Sequence, residues 1–330
     1  MLNRVVFIFF LLIGLYSCKS NDYQKIEGTA QGTTYTITFS GGEKPYLKNA
    51  ADSIFKVIDH SMSLWDSTSI ISSFNKNATS QQIDAHFKHV LLKSHEIYKL
   101  SNGAFDPSVG PLIKAWSFIR KNDLPLPNAK TIDSLKQFIG FEKVSLVGSK
   151  LVKENPAIQL DFNAIAQGYT VDVVAEHLDK LGIENYLIEL GGELRSKGRN
   201  PEGKSWKVGI EKPTNNETEE QNGLQLVVTL DNKGLATSGN YRNFIQTEGN
   251  HLSHILDPKT GRPVAHNVVS VSVIAPTGMD ADAWGTAFLV LGKEKSIGIA
   301  QKLGLEFQMV SGSKNGFEVF QTEGFKKLVQ

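Results

Sequence analysis

Residues 186–211 run YLIELGGELRSKGRNPEGKSWKVGIE, and both ends of this stretch carry the same signal. Tyr186–Leu190 and Trp206–Glu211 alternate apolar residues with others and are rich in aromatic and aliphatic side chains, the pattern of strands with one buried face. Leu224–Leu230 (LQLVVTL) and Val268–Ala275 (VVSVSVIA) repeat it downstream, and Asp231-Asn232-Lys233-Gly234 supplies the residues of a turn joining two strands. Thr33–Phe39 (TTYTITF) is a further strand upstream and Phe317–Phe320 a late one.

Helical spacing takes over elsewhere. Leu47, Ala51, Ile54, Phe55, Ile58 and Met62 mark one amphipathic helix. Ile83, Phe87, Val90, Leu91, Ile97 and Tyr98 mark a second, stopped by Ser101-Asn102-Gly103. A third covers Ala166 to Leu181 and ends at Gly182, and a fourth runs from Ala281 to Leu291. Helices and strands come in clusters instead of strict alternation. That predicts an α+β fold with largely antiparallel sheets and packed helices.

The N-terminus reads as an export signal. Arg4 provides a positive charge and Val5 to Ile13 an unbroken apolar run, well short of the roughly 20 residues a spanning helix needs. Leu15-Tyr16-Ser17-Cys18 follows and resembles the bacterial lipobox, with Cys18, the only cysteine in the chain, as the residue to be acylated. Each buried acyl methylene would contribute about 0.8 kcal/mol to membrane anchoring. The expected division is residues 1–17 as signal peptide, 18–25 as lipidated cysteine and polar tether, and 26–330 as the globular domain. The chain is then exported and lipid-anchored facing the periplasm, with inner or outer membrane left open.

Composition is that of a globular domain, with 40% hydrophobic and 21% charged residues. The formal net charge of +1 and the lack of a long basic block exclude nothing chemically but give no support to a nucleic-acid partner. Residues 211–223 (EKPTNNETEEQNG) form a polar insertion between two strands.

Chemistry-bearing residues gather in five loops. Gly103 to Pro111 (GAFDPSVGP) places one acid and one aromatic ring on a backbone constrained by two glycines and two prolines. Read alone, it is as much a rigid turn as a site. Asp161 to Tyr169 (DFNAIAQGY) leads into a helix whose free amides and positive dipole end suit a phosphate, although Asp161 would equally serve near the cap. Leu190-Gly191-Gly192-Glu193 permits close approach of a backbone or a flat ligand, as any tight turn does. The fourth group joins Ala236 to Arg242 with Ser253 to Pro263, where hydroxyls, His254, Asp257 and cations suit phosphate handling. His254 would take a proton near neutral pH, or serve only as a structural hydrogen-bonding group. In the fifth, Asp282 and Thr286 stand four apart on one helical face, an oxygen-only pair suited to a hard cation such as Mg2+. Asp282 would also answer the helix dipole. No zinc spacing, Walker loop or GxGxxG is present.

In order along the chain, Met62 through Asn75, Gly103 to Trp116, Asp161 to Asp172, Leu190-Gly191-Gly192-Glu193, Thr237 through Pro263 and the final Ala281-Asp282 with Thr286 resemble the FAD:protein FMN transferase family, the ApbE-type flavin transferases. The resemblance implies an ApbE-like, T-fold-related architecture. It also implies transfer of the FMN half of FAD to a Thr or Ser hydroxyl of an exported target protein, with release of AMP. By position it places Gln31, Trp65, Ala104, Phe105, Asp106, Asp161, Gln167, His254 and Ile255 at the FAD site. Asp282, Thr286 and the backbone carbonyl of Ala164 become the Mg2+ ligands. His254 is then the candidate base for the acceptor hydroxyl and Asp257 its candidate orienting partner. The implied acceptors carry the motif D-x-x-[ST]-G-[AS]-T and belong to exported subunits of membrane electron-transfer complexes. Two positions depart from the family pattern: Gln167 replaces a Glu or Lys, and Gln31 replaces a frequent Met. Hydrolysis of FAD by the same site, or flavin binding without catalysis by a lipid-tethered protein, are the alternative readings.

Overall fold

Alternation decides which faces meet. In Thr33–Ser40, Tyr35, Ile37 and Phe39 are buried while the residues between them are partly exposed. Trp206–Glu211 does the same with Trp206, Val208 and Ile210. The computed structural model describes residues 22–76, 79–116, 126–213, 224–239, 244–247, 250–253, 255–313 and 316–330. Its centre is an eight-stranded sheet in the order Tyr23–Ala30, Thr33–Ser40, Tyr186–Leu190, Glu193–Lys197, Gly234–Gly239, Val268–Ala275, Glu306–Ser313 and Gly316–Gln321. Every neighbouring pair is antiparallel, as the clustered strands predict.

Helices cover one face of this sheet. Tyr46–Met62 and Ala166–Lys180 pack Leu47, Phe55, Val171, Val174 and Leu178 against Tyr35, Ile37, Tyr186 and Ile188. Gly278–Leu291 is apolar around most of its circumference, because it lies between Val268–Ala275 and the helix Ala85–Leu100. The hairpin of Trp206–Glu211 with Leu224–Leu230 and the short helix Glu323–Leu328 bury Trp206, Val228 and Phe325 against Leu194, Leu235 and Ile274 of the other face. Packing on both sides explains why Val268–Ala275 is buried nearly throughout.

Two expectations are corrected by the structure and one is sharpened. Asp231 to Gly234 does join two strands, but they lie in different sheets: the strand before it pairs with Trp206–Glu211, and the strand after it with Glu193–Lys197 and Val268–Ala275. Such a short link has the same residue chemistry whether it reverses a strand or moves the chain between sheets. The tether is shorter than residues 18–25, since Tyr23, Gln24 and Lys25 already pair with Ser40, Phe39 and Thr38. A reversal at Gln31-Gly32, both with positive φ (51° and 76°), carries this pairing to a segment with no strand signal of its own. The last site helix begins at Gly278, not Ala281, because the Thr277 hydroxyl accepts the Asp280 amide at 3.0 Å and caps it. Among the described residues, no helix is long and apolar enough to cross a membrane. Cys18 and the signal segment lie outside the described residues.

Candidate active site

Two glycines set the site. Helices Ala166–Lys180 and Gly278–Leu291 meet at Gly168 and Gly278, so closely that a Cβ on Gly168 would fall 2.4 Å from the Gly278 carbonyl oxygen. This approach brings the Gly168 amide, free in the first turn of its helix, within 3.0 Å of Asp282 Oδ2. Asp282 is only 5% exposed, and burial pushes its carboxyl up to about 7, with the Gly168 hydrogen bond opposing and the charge of Asp172 adding to the rise. One turn on, Thr286 Oγ1 lies 3.2 Å from Ser238 Oγ of the adjacent strand. Gly285 allows that contact, because a Cβ there would meet Ser238 Oγ at 2.8 Å.

The opposite wall comes from two loops joined to each other. Asn102 and Gly103, both with positive φ (52° and 76°), end the helix Ala85–Leu100 and turn the chain into Ala104-Phe105-Asp106. Asp106 is buried and accepts the Ser108 amide at 2.8 Å and the Ser108 hydroxyl at 2.6 Å. Burial outweighs these bonds and pushes its carboxyl up to about 6. The Pro107 carbonyl accepts the Asp161 amide at 2.8 Å, and Asp161 Oδ1 accepts the Asn163 amide at 2.8 Å. Desolvation raises the Asp161 carboxyl as well.

Between these walls lie two adjoining cavities. The one of about 430 Å³ is lined by Ala104, Phe105, Asp106, Asp161, Ala164, Gln167, Ile255, Asp282 and Thr286, together with Glu193 and Ser238. Its neighbour, of about 540 Å³, is lined by Gln31, Asp59, Met62 and Trp65, and both share Asn163 and Gln167. Gln31 is held by a hydrogen bond to Thr170 Oγ1 at 3.1 Å and by Asp59, whose carboxyl burial raises. Trp65 stands 72% exposed at the rim. The arrangement suits a ligand with a flat group at each end and a polar link between them.

Asp106, Asp161, Glu193 and Asp282 all face the first cavity, and no Lys, Arg or His is among its described lining residues. Desolvation raises the carboxyls of Asp106, Asp161 and Asp282, and acids gathered in one cavity hold their protons tightly or share a metal. Among the described residues no three His, Cys, Asp or Glu side chains form a metal-binding group. Asp282, Thr286 and Ala164 line this cavity together, and their side-chain and carbonyl oxygens are the set that could hold a cation. Mg2+ fits such a set, because it commonly keeps waters and completes its shell with substrate phosphates.

Thus Gln31, Trp65, Ala104, Phe105, Asp106, Asp161, Ala164, Gln167, Ile255, Asp282 and Thr286 are brought to one divided cleft. His254 lies outside the described residues. Asp257 is not in the cavity lining, and its Oδ1 accepts the Lys259 amide at 2.8 Å within its own turn. Sequence reasoning passed over Asp59, Asn163 and Glu193. Asn163 and Glu193 lie inside the quoted loops; Asp59, on the polar side of an amphipathic helix, gives no sequence signal.

The site is thus a divided, acid-lined cleft carried on an antiparallel sheet with helices packed against it. The sequence pattern of the ApbE family matches residues 31–309, and the chain belongs to that family. A protein named FAD:protein FMN transferase from Haemophilus influenzae is 34% identical, over 97% of this chain and 96% of its own. The flavin transferase ApbE from Vibrio cholerae superposes with a TM-score of 0.83 at 31% identity, covering 93% of this chain and 99% of its own. The apo flavinyl transferase ApbE of Pseudomonas stutzeri gives 0.83 at 32% identity, over 93% and 96% of the two chains.

Proposed function

We infer that this chain is an FAD:protein FMN transferase, which moves FMN from FAD to a Thr or Ser hydroxyl of a target protein and releases AMP. The observation that carries this reading is the pair of cavities joined at Asn163 and Gln167, with Asp282 on one side and exposed Trp65 on the other. Full-length relatives bearing that name support it. FAD has a flat ring system at each end and a diphosphate between, matching the division of the cleft. Trp65 offers an aromatic face for stacking.

In the reaction the acceptor oxygen attacks the FMN-side phosphorus. The bond from that phosphorus to the bridging oxygen breaks, and AMP leaves with the electron pair. The hydroxyl proton passes to a base, for which His254 is the candidate. Asp282, Thr286 and the Ala164 carbonyl would hold Mg2+, which offsets charge on the phosphate oxygens when bound. The protein's own work is positioning: Gln167 and Asn163 border both cavities, and the Gly168–Asp282 bond keeps the acid-rich wall in place. Neutral Gln167 leaves the charge at the junction to the carboxyls and their cation. We further propose that a lipid on Cys18 holds the chain outside the cytoplasm, near exported subunits of electron-transfer complexes.

Incubation with FAD and Mg2+ tests the chemistry. Release of AMP that stops in EDTA and in Asp282→Ala is expected. Wild-type rate in Asp282→Ala would remove Asp282 from the metal site, and intact FAD after incubation of the wild type would leave only flavin binding.

A further inference from the structure

We propose that Asp172, together with Arg195, is the positioning residue that holds Asp282 in place for a cation; this rests on the functional reading above. The two helices hold each other's first turns reciprocally. Gly168 donates its amide to Asp282 Oδ2 at 3.0 Å. In return, Asp172 accepts the Gly278 amide at 2.9 Å with one carboxylate oxygen and the Met279 amide at 2.8 Å with the other. Each carboxylate stands four residues after the glycine of its own helix and binds free amides in the first turn of the other helix.

The glycine contact makes the arrangement stiff. A Cβ on Gly278 would meet the Gly168 carbonyl oxygen at 2.8 Å, so neither helix can shift far without losing its cap. Arg195 locks the outer side. Its Nε lies 3.5 Å from Asp172 Oδ1, and its Nη1 donates to the carbonyls of Asn232 and Pro276. The segment from Pro276 to Met279 is therefore held at its carbonyl side by Arg195 and at its amide side by Asp172. Asp282 follows one turn later. Its Oδ2 is engaged by Gly168, and among the described residues no hydrogen bond reaches its other oxygen, which leaves it for a cation. Asp172 touches neither cavity lining, so its effect on a ligand passes through Asp282.

The test separates positioning from general stability. Mn2+ is titrated into the purified wild-type chain and into Asp172→Asn, Asp172→Ala and Arg195→Lys, following the free-ion paramagnetic signal. FAD binding is measured separately in EDTA by flavin fluorescence, and melting temperatures are recorded throughout. Loss of an outer partner of a metal ligand weakens metal binding about 10- to 100-fold, so Asp172→Ala should fall in that range with metal-free FAD affinity changed less than about threefold. Asp172→Asn keeps one acceptor and should lie between Asp172→Ala and wild type; it also serves if the alanine variant does not fold. Variants that melt earlier but bind Mn2+ like wild type would overturn the proposal, because the cap would then be structural only. Wild type that binds neither Mn2+ nor FAD would overturn the functional reading and this proposal with it.

Discussion

Trp65 carries a large apolar ring at 72% exposure beside a cavity of about 540 Å³, a position that contributes little to folding and much to a flat ligand. Stacking on one aromatic ring is worth about 1–3 kcal/mol, so Trp65→Ala should raise the FAD concentration for half-maximal rate about tenfold. Its melting temperature should stay at the wild-type value; a large drop would mean that the ring packs instead of binding. Asp106 behaves differently, because burial raises its carboxyl from 3.8 to about 6. The folded state then binds that proton more tightly than the unfolded chain does. The contribution is present below about pH 4 and is lost as pH rises through about 6, and it amounts to at most about 3 kcal/mol. Denaturation midpoints of the ligand-free chain should therefore rise between pH 7 and pH 5, and Asp106→Asn should flatten that rise. An identical pH profile in the variant would contradict the assignment. At this scale the sequence showed which loops carry chemistry, because glycines and prolines flank the acids. It could not show that Glu193 lines the same cavity as Asp282, since that needs the fold to bring residues 193 and 282 to one cleft.

The contact between helices Ala166–Lys180 and Gly278–Leu291 decides the site's geometry at the level of elements. Gly168 admits no side chain: its Cβ would lie 2.4 Å from the Gly278 carbonyl oxygen and 2.6 Å from Asp282 Cβ. Gly168→Ala should force the helices apart at about 1–3 kcal/mol of stability and displace Asp282, lowering both the urea midpoint and the AMP-release rate. An unchanged midpoint would show that the helices tolerate separation. Both helices were legible in the sequence, one from its period and its Gly182 stop, the other from its apolar run. Their mutual capping was not, because Asp172 looks like any polar residue on a helix until Gly278 and Met279 are placed beside it. Strand Tyr23–Ala30 was hidden for a related reason. Its pairing is supplied by the reversal at Gln31-Gly32 and its neighbour, not by alternation of its own.

Across the whole molecule, the antiparallel sheet was predicted as a class, while its order was not. Residues 186–197 sit in mid-sheet between strands from residues 33–40 and 234–239, an arrangement set by long-range packing. The sheet also bears on the proposed tether. Because Tyr23 pairs with Ser40, a chain shortened to begin at Asn21 keeps every described strand. It should leave the membrane fraction while releasing AMP from FAD at the full-length rate; a slower rate would give the N-terminal segment a part in the chemistry. The measurement that bears most directly on function uses an acceptor domain carrying D-x-x-[ST]-G-[AS]-T, incubated with the chain, FAD and Mg2+ and read by intact-protein mass spectrometry. The acceptor should gain one FMN at its Thr or Ser, with AMP formed in equal amount and neither product seen with Asp282→Ala. Free FMN beside an unmodified acceptor would contradict flavin transfer.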